Sequence, residues 1–227
     1  MSSVPAFTVP VYCTDEDIAV RAGMDFVALA PFSQRMGGGN DGVFLAADRW
    51  TLTSASAQFL SNGVHANQVV WLQGPKTAYA GGGVILAIDS VQADSITLRR
   101  LHKDLGVGDP PAPAAGLTGV VFLVNTLDPQ IEEASYDLKR RYGIDENVPP
   151  NSSGWMYDQR DLRMATVLTV LQARYVQEAR GDKGDFPRKI GLLSAQLASV
   201  LERVEVRWGS DGKHPPSSSI FGANVMR

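Results

Sequence analysis

The chain has 227 residues, of which 44% are hydrophobic and 20% charged, with a formal net charge of −3. These values belong to a protein with its own packed core and exclude a disordered chain. Residues 1–127 carry 7 basic and 10 acidic side chains and residues 128–227 carry 14 of each, so neither part has the basic excess of a protein that holds nucleic acid as its substrate.

Cys13 is the only cysteine. An intrachain disulfide is therefore impossible, which fits synthesis in a reducing cytoplasm. The start Met1-Ser2-Ser3-Val4-Pro5 lacks the basic residues and apolar run of a signal peptide. No apolar stretch approaches the roughly 20 residues of a membrane-spanning helix.

In chain order, residues 1–10 read as an extended arm, because Pro5 and Pro10 disfavour helix and Phe7, Val9 and Val11 alternate. Thr14 reads as an N-cap, with Asp15, Glu16 and Asp17 in the first turn complementing the helix dipole. Ile18, Ala19 and Ala22 supply the apolar face of this helix and Gly23 its stop. A second short helical piece is expected over 24–29, before Pro31. Residues 37–42, Gly-Gly-Gly-Asn-Asp-Gly, read as a flexible loop.

Strand character follows, over 69–72, 83–88, 95–99 and 119–125. These segments are rich in Val, Ile, Leu and Phe and are separated by turn residues such as Asn62-Gly63 and Gly74-Pro75. Residues 106–116, with Pro110, Pro111 and Pro113, form a loop. Short strands at this spacing predict a small β-barrel or sandwich.

From Asp128-Pro129 the period changes to that of a helix. Asp128 is expected to cap it and Pro129 suits the first turn. Ile131, Ala134, Leu138 and Tyr142 make one face, and Gly143 follows. After a loop over 147–154, a long helix is expected from Asp158 to Arg180, with Met164, Val167, Leu168, Leu171 and Tyr175 on one face. Leu162, Ala165, Val170 and Ala173 widen that face, so the helix should be buried on more than one side. The turn 181–184 leads to a last helix opened by Asp185 and Pro187. Its inward positions are Ile190, Leu193, Leu197, Val200, Leu201 and Val204, and the short turn makes the two helices antiparallel neighbours. Residues 205–208 read as a short strand, and 209–227 as a polar arm rich in Pro and Ser.

Motif chemistry is sparse. His65, His102 and His214 lie far apart with no second ligand at metal spacing, and each reads as an exposed loop histidine. Residues 14–17 could be an acidic metal cluster, but helix capping explains them more simply. Residues 37–42 lack the Gly-Lys-Ser/Thr ending of a phosphate loop. Ser54, Ser56 and Ser61 have no nucleophile-elbow context. No catalytic residue, cofactor or metal is expected.

Two groups remain as candidate contact residues. Lys139, Arg140 and Arg141 read first as a solvated helix C-terminus complementing the dipole, and alternatively as a surface that DNA passes. Ile220, Phe221, Val225 and Met226 are apolar residues placed where no core remains. Together with Trp208 they read either as a frayed terminus or as an arm that docks on a neighbouring subunit, with residues 205–208 adding a strand to another sheet.

The string Tyr12-Cys13-Thr14-Asp15-Glu16-Asp17-Ile18-Ala19-Val20-Arg21-Ala22-Gly23 resembles the opening helix of the small head–tail connector (adaptor) proteins of tailed bacteriophages and gene transfer agents. Residues 131–143 look like their second helix. Residues 161–175 and 186–204 look like the helix pair that follows. The compact all-helical members lack residues 42–127, which read as an insertion.

The resemblance implies an α+β protein: a small helical bundle of connector type with an inserted β-barrel or sandwich and an extended C-terminal arm. Its expected divisions are 1–41 (arm and first helices, part of the helical domain), 42–127 (β-domain), 128–208 (helical domain) and 209–227 (arm). It further implies a structural virion protein without enzymatic activity, made in the host cytoplasm and built into the neck of the particle. There it forms a closed ring, dodecameric in this family, between the portal protein and the downstream neck, stopper or tail proteins. DNA passes through its channel, and no membrane is involved. Two other readings stand beside this one: another phage morphogenesis component, such as a tail-completion or capsid-associated protein, and a cytoplasmic ligand-binding module. The last would need a concave pocket with converging titratable groups.

Overall fold

Six strands close into an antiparallel barrel in a computed structural model that describes residues 11–74, 83–102, 112–142, 155–157, 159–179, 185–204 and 206–208. The expected α+β class holds in this mixed form. The described residues divide into two units, Thr14–Asp128 and Met1–Cys13 with Pro129–Arg227.

In the first unit, α1 (Asp15–Ala22) and α2 (Asp25–Leu29) precede the strands β1 (Arg35–Phe44), β2 (Thr51–Thr53), β3 (Val69–Gly74), β4 (Val84–Val91), β5 (Ser95–Arg99) and β6 (Val120–Asn125). Around the barrel the order is β1-β2-β5-β4-β3-β6, and β6 pairs back onto β1. Closure leaves no free sheet edge.

The interior is filled by Phe44, Leu52, Phe59, Val70, Leu72, Leu86, Ile88, Ile96, Leu98, Val120, Phe122 and Val124. Along β6 the period of two puts Val120, Phe122 and Val124 inside. The Phe59 and Phe122 rings meet at 5.8 Å between centroids with a 47° tilt, a favoured aromatic geometry. Each such side chain stabilises the fold by roughly 1.5–3 kcal/mol through burial.

Two expectations are corrected here. Residues 37–42 are not a loop but the middle of β1, paired with β6 through two register shifts. A Cβ on Gly42 would lie 2.9 Å from the Val120 carbonyl oxygen and one on Gly38 3.1 Å from that of Phe122. The glycines serve close approach of two backbones and bulging of the strand. The division at residue 41 also differs. The barrel starts at Arg35, and α1 and α2 belong to its unit rather than to the helical one, because Ile18, Ala19, Phe26 and Leu29 are fully buried there.

The second unit holds α3 (Asp128–Tyr142) from Pro129 onward, β7 (Trp155–Tyr157), α4 (Gln159–Ala179), α5 (Phe186–Arg203) and β8 (Val206–Trp208). Ile131, Ala134 and Leu138 are buried on α3, as their spacing predicts. Tyr142 is half-buried and its hydroxyl donates to the Leu201 carbonyl at 3.0 Å. On α4, four consecutive buried residues, Ala165 to Leu168, show burial on more than one side, whereas Ala173 is exposed.

α5 runs antiparallel to α4. Tyr175 meets Phe186 edge-on at 5.1 Å near one end, Gln172 Nε2 donates to Ser194 Oγ at 2.9 Å, and Arg203 lies 4.0 Å from Asp161 near the other end. The expected turn 181–184 and the cap Asp158 lie outside the described residues. Asp128 is the first residue of α3 rather than its cap, and its carboxylate accepts from His65 and Gln68. Among the described residues no helix is long and apolar enough to cross a membrane.

Candidate functional site

Thr14 and Asp17 form a capping box. The Thr14 hydroxyl accepts from the Asp17 N–H, and the Asp17 carboxylate accepts from the Thr14 N–H at 3.0 Å. Asp17 therefore plays the part expected of all three first-turn carboxylates. Asp15 and Glu16 do more: both are buried, each only 1% exposed. An acidic first turn reads from sequence as dipole complementation; helical spacing puts Asp15 on the same face as Ile18 and Ala19, but nothing local shows which groups receive Asp15 and Glu16 there.

Glu16 sits in a dense set of donors. Arg99 grips it with two parallel bonds, Nη1 to Oε1 and Nη2 to Oε2, each 2.7 Å. The backbone N–H of His102 donates to Oε1 at 2.9 Å, and the His102 ring Nε2 lies 2.9 Å from Oε2. Bidentate geometry of this kind is among the stronger charge-assisted contacts. Arg99 also meets Asp89 at 3.4 Å, and its pKa is held above the ordinary value chiefly by the hydrogen bond to Glu16.

Asp15 is in the opposite situation. Its Oδ1 accepts the Leu127 N–H at 2.7 Å, while its Oδ2 is buried without a hydrogen-bond partner. Burial, and then the negative charge of Asp128, push its pKa from 3.8 up to about 7. The Asp128 carboxylate receives His65 Nε2 at 2.8 Å and Gln68 Nε2 at 3.0 Å on one oxygen. For His65, burial pulls the pKa down, but bonds to the Ala66 carbonyl and to Asp128 outweigh it and the net shift is upward.

One end of the barrel thus gathers Asp15, Glu16, His65, Gln68, Arg99, His102 and Asp128. His65 and His102 are largely exposed, as expected of loop histidines, yet each is paired with a carboxylate. Chemically the cluster can hold protons and fasten α1. Among the described residues no group of three or more His, Cys, Asp or Glu is placed to hold a metal ion.

The residues singled out from the sequence fall elsewhere. Lys139 is 2% exposed, so neither a solvated nor a DNA-facing role applies to it. Helical spacing puts it on the buried side with Ile131, Ser135 and Leu138, and its ammonium lies 5.7 Å from the Tyr12 ring centre, where cation–π attraction applies. Arg140 and Arg141 are exposed, stacked near Tyr136 and Tyr142 at 5.7 and 6.0 Å.

Trp208 ends β8, whose backbone pairs with β7 of the same chain in the register Trp155–Trp208, Met156–Arg207 and Tyr157–Val206. One edge of the strand expected to join another sheet is thus taken by β7 of its own chain. The sequence missed β7 because a three-residue strand shows no period. Ile220, Phe221, Val225, Met226 and His214 lie outside the described residues. Comparison of the chain with family models, with curated proteins and with solved structures finds no match in any of the three.

Proposed function

We propose that this protein is a structural connector of the phage head–tail type, acting as a scaffold in the particle neck rather than as an enzyme. The observation that carries the reading is the order of elements. A capped opening helix, a separate second helix α3 and an antiparallel pair α4–α5 follow one another, in the sequence on which the resemblance rests. The segment read as an insertion is occupied by a closed barrel. One departure weighs on the other side: α1 belongs to the barrel's unit.

On this reading, copies of the chain form a closed ring, a dodecamer in the family it resembles, between portal and downstream neck or tail proteins. Ring contacts between identical subunits are heterologous, so each copy needs two different adhesive faces. Leu192 on α5 and Val176 on α4, 58% and 41% exposed, are candidate contributors. The arm containing Ile220, Phe221, Val225 and Met226 is the candidate portal contact, and Arg140 and Arg141 remain candidates for the channel wall.

Electron microscopy of the purified full chain, alone and mixed with a phage portal protein, tests the proposal. Rings with a central channel are the expected result. A chain that stays monomeric in both samples would overturn it. Removing residues 209–227 should weaken portal association and leave the helical content unchanged; undiminished association removes the arm from the proposal.

A further inference from the structure

The cluster at the end of the barrel contains two carboxylates and a histidine whose hydrogen bonds specify where protons must sit. His65 Nδ1 lies 2.9 Å from the Ala66 carbonyl oxygen and Nε2 lies 2.8 Å from Asp128 Oδ2. Both partners are acceptors when Asp128 is ionised. The ring makes both bonds only with a proton on each nitrogen, as imidazolium. Asp128 also accepts from Gln68 on the same oxygen. Asp15 is buried beside the Asp128 carboxylate, where burial and that neighbour outweigh its contacts with the Thr126 hydroxyl and the Leu127 N–H. Neighbouring carboxylates in a buried site cannot both ionise cheaply, so Asp15 is the one that keeps its proton.

We propose that Asp15, Asp128 and His65 form a proton-dependent clasp that fastens α1 to the end of the barrel at mildly acidic pH and loosens it as the pH rises. The charged groups that face it come from every element packed there. They are Glu16 from α1 itself, Arg99 from β5 with Asp89 of β4 against it, His102 beyond β5, His65 from the segment before β3, and Asp128 from the start of α3. Arg99 is taken up by Glu16, so the only cation directed at the Asp15–Asp128 pair among these contacts is His65.

Two linked equilibria give the same sign. Asp15 titrates at about 7 when docked, against an ordinary value of 3.8. Its contribution is complete below the ordinary value and is lost as pH rises from there through the docked value. His65 is raised from 6.5, so its contribution is present below that value and is lost as pH rises through the docked one. Both weaken the clasp on the alkaline side. The Glu16–Arg99 pin supplies attachment that does not depend on these two protons.

Hydrogen exchange of the full-length protein, corrected for the intrinsic pH effect, reads the clasp directly. Exchange through opening of α1, relative to strands β3 and β6, should rise about tenfold or more between about pH 5 and about pH 8. Asp15→Asn should abolish most of this rise and His65→Gln should reduce it. An unchanged ratio in the wild-type chain, or the full rise persisting in Asp15→Asn, overturns the proposal. Should Asp15→Asn fail to fold, carbon-13 titration of the Asp15 carboxyl in the wild-type chain decides. A midpoint near neutrality is expected, and one in the ordinary carboxylate range overturns it.

Discussion

The barrel unit and the helical unit bury comparable kinds of apolar side chain but place their charges by different rules. In the helical unit, charged residues follow helix geometry. Lys139 is buried because position 139 falls on the inner side of α3, and Arg140 is exposed because the next position does not. In the barrel unit, Asp15 and Glu16 are buried by partners 83 to 112 residues away in the chain. Periodicity governs the first case; in the second it sets Asp15 on the Ile18 and Ala19 side of α1, and closure of the barrel supplies the distant partners. A charge buried by periodicity can be read from spacing, whereas one buried by closure needs the whole topology.

Substitutions can break or sharpen this contrast. The largest effect is expected inside the barrel. Phe122→Ala removes a ring packed on Phe59 and should cost about 3–5 kcal/mol through lost burial and a residual cavity, measured by urea unfolding. A smaller but more telling loss is expected from Glu16→Gln, which leaves the Arg99 guanidinium with only the more distant Asp89 as counter-charge. A destabilisation of about 2 kcal/mol is the scale for a hydrogen-bonded charged group. If unfolding shows no loss, the polar end of the barrel is not holding α1.

Thr14→Ala should cost about 1 kcal/mol by removing the N-cap of α1. It serves as the local-rule counterpart to Glu16→Gln on the same helix turn. The smallest effect on folding belongs to Leu192→Glu at an exposed position of α5, within about 0.5 kcal/mol by unfolding. The same variant should disrupt ring assembly if α5 supplies a subunit contact, so intact rings would remove α5 from the proposed interface.

Much of the helical unit is legible from the chain. α3, α4 and α5 lie within one or two residues of the positions implied by their apolar spacing, and Thr14 and Gly23 bracket α1 as their chemistry predicts. Four barrel strands are likewise visible as Val- and Ile-rich runs. β1 was hidden because its glycines, read alone, signal a loop. Their use, letting β1 press on β6, is apparent only once β6 is beside it. β2 and β7 are three residues each, too short for alternation to show. The candidate cluster was least visible of all. Asp15, Glu16, His65, Arg99 and Asp128 each have an ordinary local explanation, and their significance lies in meeting.

The amino-acid sequence by itself determined the helices, their caps, four strands and the mixed class, because those depend on interactions a few residues apart. The tertiary structure alone decided that the strands close into a barrel, that α1 belongs with it, that β8 pairs within its own chain, and that Asp15 lies buried beside Asp128. Each of these rests on contacts between distant segments, and for Asp15 it is the removal of water by those segments that turns a first-turn carboxylate into a group that holds its proton near neutral pH.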